Sequence, residues 1–246
     1  MEQLVVDINV DVGEGVGNEA EIMPFISSCN IACGGHAGDE VTMTQVVALA
    51  KAHRVKIGAH PSFPDKLNFG RQAMELSKTD LITSLKSQIE NLLAILNHEH
   101  LKLHHVKPHG ALYNLAAKDL AFAEVIVEVF KTLDAEVKLY VPFQSVMAKL
   151  AIQHGIPLVY EGFADRNYND DGSLVSRSHP KAMIHNAGEM AEHVLQMVQN
   201  KTVKTLNNHD LPIVAETFCI HGDTENAAQL IKDLRSFLEQ NDIVIC

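Results

Sequence analysis

The strongest constraint on this chain is an alternation between two kinds of segment. Short β-branched or apolar runs occur at Leu4 to Val10, Cys29 to Cys33, Val55 to Ala59, Leu103 to Lys107, Val137 to Val141, Leu158 to Glu161 and Ile213 to Ile220. Each has the length and composition of a strand. Most are separated by longer stretches whose apolar residues recur with helical spacing, among them "DEVTMTQVVALAKAHR", "SKTDLITSLKSQIENLLAILNHE" and "TENAAQLIKDLRSFLEQ". Asp39 and Ser77 are placed to cap two of these helices, Asp223 or Thr224 to cap the last, and Gly155 to stop one. Strands alternating with helices predict a parallel sheet covered by helices, either open or closed. Seven strand candidates, with no repeat, low-complexity tract or Pro/Gly-rich linker between them, favour the closed form. The expected fold class is therefore α/β, a single seven-stranded, TIM-like (βα) barrel spanning residues 1–246 as one domain.

Composition narrows the partners. Lys and Arg total 20 against 31 Asp and Glu, a net charge of -11 that repels a phosphate backbone, so no nucleic-acid partner is expected. The N-terminal "MEQLVVDINV" lacks a basic region followed by a long apolar segment, and no run of 18 apolar residues occurs, so a cytoplasmic protein with no membrane partner is expected. Cys29, Cys33, Cys219 and Cys246 form neither a C-x-x-C pair nor a secreted disulfide framework, and are read as buried thiols.

Chemistry concentrates where the strands end. The first strand runs into "DVGEG" with Asp11 and Glu14, the second into "GGHAGD" with His36 and Asp39, and the third into "HPSFPD" with His60. The fourth meets "KPHGALYN" with Lys107 and His109, the sixth "EGFADRNY" with Glu161, Asp165 and Arg166, and the seventh "HGD" with His221 and Asp223. Loops at the carboxyl ends of parallel strands share one face, so groups scattered along the chain are expected to converge on one pocket. A single loop histidine is more often solvated or capping than catalytic, and His53, His98, His100, His154 and His193 fall in or beside helical stretches. The signal is the recurrence of His or carboxylate beside Gly or Pro at the same point of successive βα units. In "GGHAGD", Gly34 and Gly35 are expected to turn the backbone, admit a ligand closely and present His36. The stretch from Phe163 to Pro180 is long for a loop without structure of its own, and reads as a lid or as a surface excursion tipped by "DDG".

"DINVDVGEG", "NIACGGHAGD", "GAHPSFPD" leading to "FGR", "VKPHGALYN", "EGFADRNY" with "LVSR", and "CIHGD", taken together and in this order, resemble the LamB/YcsF family over essentially the whole chain. The resemblance implies a seven-stranded βα barrel related to the glycoside hydrolase/polysaccharide deacetylase fold. It also implies the role of the A subunit of a bacterial 5-oxoprolinase, which opens the lactam of 5-oxo-L-proline to L-glutamate with ATP. The chain carries no G-x-x-x-x-G-K-[ST] loop, kinase-like glycine loop or dinucleotide fingerprint. ATP is thus expected to act through the complex, with subunits B and C as partners and a small molecule as substrate.

Ring opening needs a base to activate water, donors for the developing oxyanion and an acid for the departing nitrogen. Asp11 is the first candidate for the base, because deacetylase relatives place an acidic base at the end of the first strand; Glu14 competes with it. His36, His60 and His109 are candidates to protonate the leaving nitrogen, polarise the substrate or hold a metal. Lys107 and Arg166 are candidate contacts for a phosphate or substrate carboxylate, with Arg177 of "LVSR" as a second. Glu161, Asp165 and His221 complete the candidate substrate-binding set. One Asp with two or three His makes a reasonable divalent site, for which Asp11, His36, His60 and His109 are candidates. No H-E-x-x-H motif fixes ligands, so the sequence leaves a divalent metal open. Two other function classes stay open beside the lactam hydrolase subunit: a metal-dependent amide or carbohydrate deacetylase acting alone, and a noncatalytic carbohydrate- or metabolite-binding subunit.

Overall fold

A computed structural model describes residues 3–246. Its strands, in chain order, are β1 (Val5–Val12), β2 (Ser28–Ala32), β3 (Lys56–His60), β4 (His105–Val106), β5 (Lys138–Pro142), β6 (Leu158–Phe163), β7 (Thr202–Lys204), β8 (Asp210–Pro212), β9 (Thr217–Ile220) and β10 (Val244–Ile245). The helices are α1 (Glu19–Ile22), α2 (Glu40–His53), α3 (Lys78–His98), α4 (Gly110–Ala116), α5 (Leu120–Phe130), α6 (Val146–Gln153), α7 (Ala187–Leu195) and α8 (Ala227–Gln240). Strand β1 pairs in parallel with both β2 and β9, and β9 with β6, so β1 to β6 and β9 close into a ring of seven parallel strands. All seven expected strands are present, and the open sheet is excluded by the β1–β9 pairing.

Several local expectations need correction. The run Ile213 to Ile220 yields a strand only over Thr217–Ile220, because the preceding chain pairs elsewhere: β8 lies antiparallel to β7 as a small hairpin beside the barrel. The last helix is not capped by Asp223 or Thr224. Its N-cap is Asn226, in the left-handed region at φ 58 without a side-chain cap, while Asp223 is held by Arg71 at 2.7 Å. Asp39 and Ser77 do cap their helices, accepting from the Thr42 and Asp80 amides. Cys29, Cys33 and Cys219 are buried, but Cys246 is exposed. Among the described residues, no helix is long and apolar enough to cross a membrane.

The alternation within β1 sets the architecture. Val6, Ile8, Val10 and Val12 are buried in the hydrophobic cluster, while Asp7, Asn9 and Asp11, on the other face of the strand, enter polar contacts across the barrel. Successive strand residues point to opposite faces, so the apolar core lies between sheet and helices and the lumen is polar. At one end Asp7 accepts hydrogen bonds from Ser28 and Thr217, each at 2.6 Å. One layer up, the Asn30 amide donates to Asn9 and Asp11 at 2.8 Å each and accepts from His105 Nε2 at 2.7 Å. Pairing one residue per strand in this way satisfies groups whose burial would otherwise be costly.

Gly58 of β3 pairs with both Asn30 and His105 in register, and a methyl there would overlap the His105 ring. The glycine is what lets the imidazole lie across the lumen. Gly58→Ala is expected to destabilise the fold by about 1–3 kcal/mol through overpacking, read as a lower denaturant midpoint at unchanged slope. An unchanged midpoint would mean that His105 has room to move aside.

The lumen also sets a pH dependence. Burial pushes the His105 imidazole well below its ordinary value, and burial with the nearby Lys138 lowers His104 to about 4. The unfolded chain therefore binds protons at these positions below about pH 6.5 while the folded chain does not, so stability falls with pH over that range. Denaturant midpoints are expected to drop from pH 7 to pH 4.5, and His105→Gln to flatten the slope.

Candidate active site

The carboxyl ends of the barrel strands open into a cleft of about 620 Å3. Asp11, Glu14, His60, Lys107, His109, Glu161, Arg166, Arg177 and His221 line it, so most of the strand-end candidates meet as expected. His36 and Asp165 do not line it. They stand one step behind, and each orients a residue that does.

At the floor is a buried charge cluster. Lys107 Nζ lies 3.0 Å from Asp11 and 2.9 Å from Glu161, and donates to Cys219 Sγ at 3.0 Å. Burial alone would lower the ammonium, but Asp11, Cys219 and Glu161 hold its pKa well above the ordinary value. Burial would likewise raise Asp11, but His60 and Lys107 hold the carboxyl well below the usual carboxylate range. Lys107 is thus neutralised from within and is not a free anion contact. Tyr113 of α4 donates to Glu161 at 2.6 Å, and burial with that carboxylate keeps the phenol protonated.

Beside this cluster stand three histidines and Glu14. His60 Nδ1 lies 2.7 Å from the Lys107 carbonyl and His109 Nε2 lies 2.9 Å from the Phe69 carbonyl. His36 lies flat against His109, ring centroids 3.6 Å apart, with its Nε2 2.8 Å from Glu14 and its Nδ1 3.0 Å from Ser62 Oγ. Gly34, at φ 104, makes the turn expected of it. Gly35 serves differently: a Cβ there would meet Gln88 and Ser62, so the space it leaves is filled by protein rather than by a ligand. Gln88 of α3 grips the main chain of Ser62 through two hydrogen bonds of 2.9 Å, which fixes the loop after β3.

Against the same floor cluster, with a His221 ring nitrogen within 4.8 Å of Asp11 and Cys219, Asp165 is fully buried and accepts from both the backbone amide and Nδ1 of His221, at 2.8 and 2.9 Å. Burial opposes its ionisation, yet His221 holds its pKa below the ordinary value. The pair fixes the His221 ring with Nε2 left for the cleft. Arg166 is buried beside it. Its guanidinium donates to the carbonyls of Val175 and Ala182 and has no carboxylate within 4.0 Å among the described residues. Burial and the nearby Arg177 push its pKa down, the more distant Asp165 opposes them, and from so high an ordinary value the guanidinium stays cationic. Arg71 and Arg177 stand at the rim, both near Asp223, at 2.7 and 3.9 Å.

The Phe163 to Pro180 stretch has structure of its own. Val175 N donates to Asn167 O at 2.9 Å and Asn167 N to Ala182 O at 3.0 Å, while buried Tyr168 is bridged to Leu174 and Thr205. The segment folds back on itself as a side wall, with Leu174, Val175 and Ser176 facing the cleft.

Sequence reasoning missed the supporting residues. Asn9 and Asn30 sit mid-strand, His105 begins a strand, Tyr113 lies on a helix, and Ser62 and Gln88 lie in a loop and a helix behind the site. Only the period-two pattern of "DINVDV", which carries Asn9 between two aspartates, held a readable signal.

The chain is similar throughout to known proteins. It is 43% identical over 240 residues to a Haemophilus influenzae (strain PittEE) protein named as the A subunit of 5-oxoprolinase, covering 98% of each chain. It is 41% identical over 247 residues to a protein of the same name from Bacillus cereus (strain AH820), again covering 98% of each. It superposes on the crystal structure of a lactam utilization protein from Thermus thermophilus with a TM-score of 0.92 and 39% identity, covering 98% of this chain and 99% of that one. The sequence model of the LamB/YcsF family matches residues 6–246, and the chain belongs to that family.

Proposed function

We propose that this chain is the A subunit of a 5-oxoprolinase, opening the ring of 5-oxo-L-proline to L-glutamate in a complex whose subunits B and C use ATP. The names borne by its relatives support the reading, as does the absence of a recognisable phosphate-binding loop in the sequence. One observation carries it to this site: Arg166 is a buried guanidinium without a carboxylate partner, on the wall of the cleft and next to the oriented His221. A buried cation bonded only to carbonyls, with Asp165 acting on it from beyond contact, gains from an anion that completes it, and a planar carboxylate fits the guanidinium fork. The substrate is a small ring bearing one carboxylate, and the same guanidinium suits an activated, phosphorylated form.

With the carboxylate on Arg166, the lactam is held in the cleft beside His221. Hydrolysis adds the oxygen of water to the lactam carbon, breaks the C–N bond and delivers a proton to nitrogen. His221 is the group best placed to carry that proton, because Asp165 fixes its tautomer and leaves Nε2 facing the cleft. Asp11 is a weak base for this purpose, since His60 and Lys107 stabilise its ionised form. Its role in this reading is a fixed negative charge beside the proton carrier. The complex works in the cytoplasm.

The test is reconstitution. The chain is incubated with 5-oxo-L-proline and ATP, alone and with subunits B and C, and glutamate and phosphate are measured. Release only in the full mixture is expected. Turnover of an acetylated sugar by the chain alone would instead support a deacetylase, and binding without turnover in any mixture a noncatalytic role.

A further inference from the structure

The three histidines and Glu14 pose a problem of hydrogen atoms. A carbonyl oxygen only accepts, so His60 Nδ1, 2.7 Å from Lys107 O, carries a hydrogen, and so does His109 Nε2, 2.9 Å from Phe69 O. In neutral rings the remaining nitrogens, His60 Nε2 and His109 Nδ1, are then bare lone pairs. They face each other at 2.9 Å. Glu14 Oε1, another acceptor, lies 3.4 Å from His109 Nδ1 and 3.8 Å from His60 Nε2. With both rings neutral, three electron-rich atoms converge with no donor among them, and a proton that Asp11 favours on His60 is what an ion bound there would displace.

We infer that His60 Nε2, His109 Nδ1 and Glu14 Oε1 form a binding site for one divalent transition-metal ion of the zinc type. The separations of 2.9, 3.4 and 3.8 Å bracket the edge of about 3.3 Å that metal–ligand bonds of about 2.0–2.1 Å give in a tetrahedron. Two imidazoles and one carboxylate are a donor set suited to zinc, iron or cobalt and too nitrogen-rich for magnesium or calcium. All three ligands line the cleft, so a remaining coordination position opens towards substrate.

The surrounding shell is complete. Each ligand has an outer partner that fixes its orientation: the Lys107 carbonyl for His60, the Phe69 carbonyl for His109 and His36 Nε2 for Glu14. Metal-ligating histidines almost always donate their other nitrogen in this way. The nearby Asp11, 3.4 Å from His60 Nε2, adds negative charge that favours a dication. Of the residues that the sequence offered as ligands, His60 and His109 are retained. Asp11 is a neighbour, Glu14 takes the carboxylate position, and His36 supports it from behind.

The inference does not depend on the lactam reaction, and its test needs no turnover. The full chain is stripped with a chelator, dialysed against zinc and analysed for bound metal, and cobalt(II) is titrated into the stripped protein while its visible ligand-field bands are followed. One ion per chain and the intense bands of low-coordinate cobalt with nitrogen ligands are expected. His109→Ala is expected to abolish both. His36→Ala is expected to weaken cobalt affinity by about 10–100-fold while keeping the stoichiometry. Folding of each variant is checked by circular dichroism. A folded wild-type chain that takes up no zinc or cobalt would overturn the site, because the lone pairs would then be bridged by a shared proton. So would full uptake by a folded His109→Ala chain. Loss of turnover in the reconstituted complex, with metal uptake intact, would count against the proposed reaction and leave the site standing.

Discussion

His221→Gln is expected to lower kcat of the reconstituted enzyme by about 10²–10⁴-fold, the range for loss of a positioned proton carrier, with KM little changed. The imidazole is only half of the device. Asp165 Oδ2 lies 2.9 Å from Nδ1 and 2.8 Å from the His221 amide, so it fixes both tautomer and ring position. Asp165→Asn should therefore reduce kcat as well, although Asp165 does not touch the cleft. The diagnostic is the pH–rate profile. Both variants should lose the same limb, whereas a merely structural change would scale the profile without altering its shape. If His221→Gln retained kcat to within about threefold, the proton would have to come from the histidine cluster on the other side of Asp11.

The second large effect concerns stability. Lys107→Met is expected to destabilise the fold by about 3–5 kcal/mol, because it leaves Asp11 and Glu161 buried without their shared cation. The loss should be read as a lower denaturant midpoint at neutral pH. The signs follow from the shifts. Asp11 is held below its ordinary value, so its contribution is present above about pH 4 and is lost as pH falls through the lowered folded value. Lys107 is held above its ordinary value, so its contribution is full below about pH 10.4 and fades only as pH rises through the raised one. Neutral pH thus lies inside the window where both stabilise. Adding Asp11→Asn to Lys107→Met should recover part of the loss, since one uncompensated charge is removed. A loss below about 1 kcal/mol for Lys107→Met would show that water reaches the two carboxylates.

Legibility in the sequence divides along a physical line. Strand alternation, parallel pairing and the convergence of strand-end groups were legible because each rests on local pattern plus the handedness of βα units. His60, His109 and His221 could be named because glycine, proline and a preceding apolar run mark a strand end. The lumen was not legible. His105 bonds to Asn30 across 75 positions and Asn9 to Thr217 across 208, and no local pattern records which polar groups will face each other through a closed ring. For the same reason the sequence could offer Lys107 as an anion contact without naming Asp11 and Glu161, the two carboxylates that flank it. Asp223 read as a helix cap by position, but Arg71, 152 positions away, holds its carboxylate at the cleft rim.

Arg166 joins two events that would otherwise be separate. The same guanidinium that offers its charge to the cleft also ties down the carbonyls of Val175 and Ala182 in the side wall. In the proposed reading, anion capture and order of that wall are linked equilibria, and linkage runs both ways with one coupling free energy. A bound anion steadies the wall, and anything that steadies the wall raises anion affinity. The outer surface of this segment becomes a place from which a docked neighbour could tune substrate binding without entering the cleft.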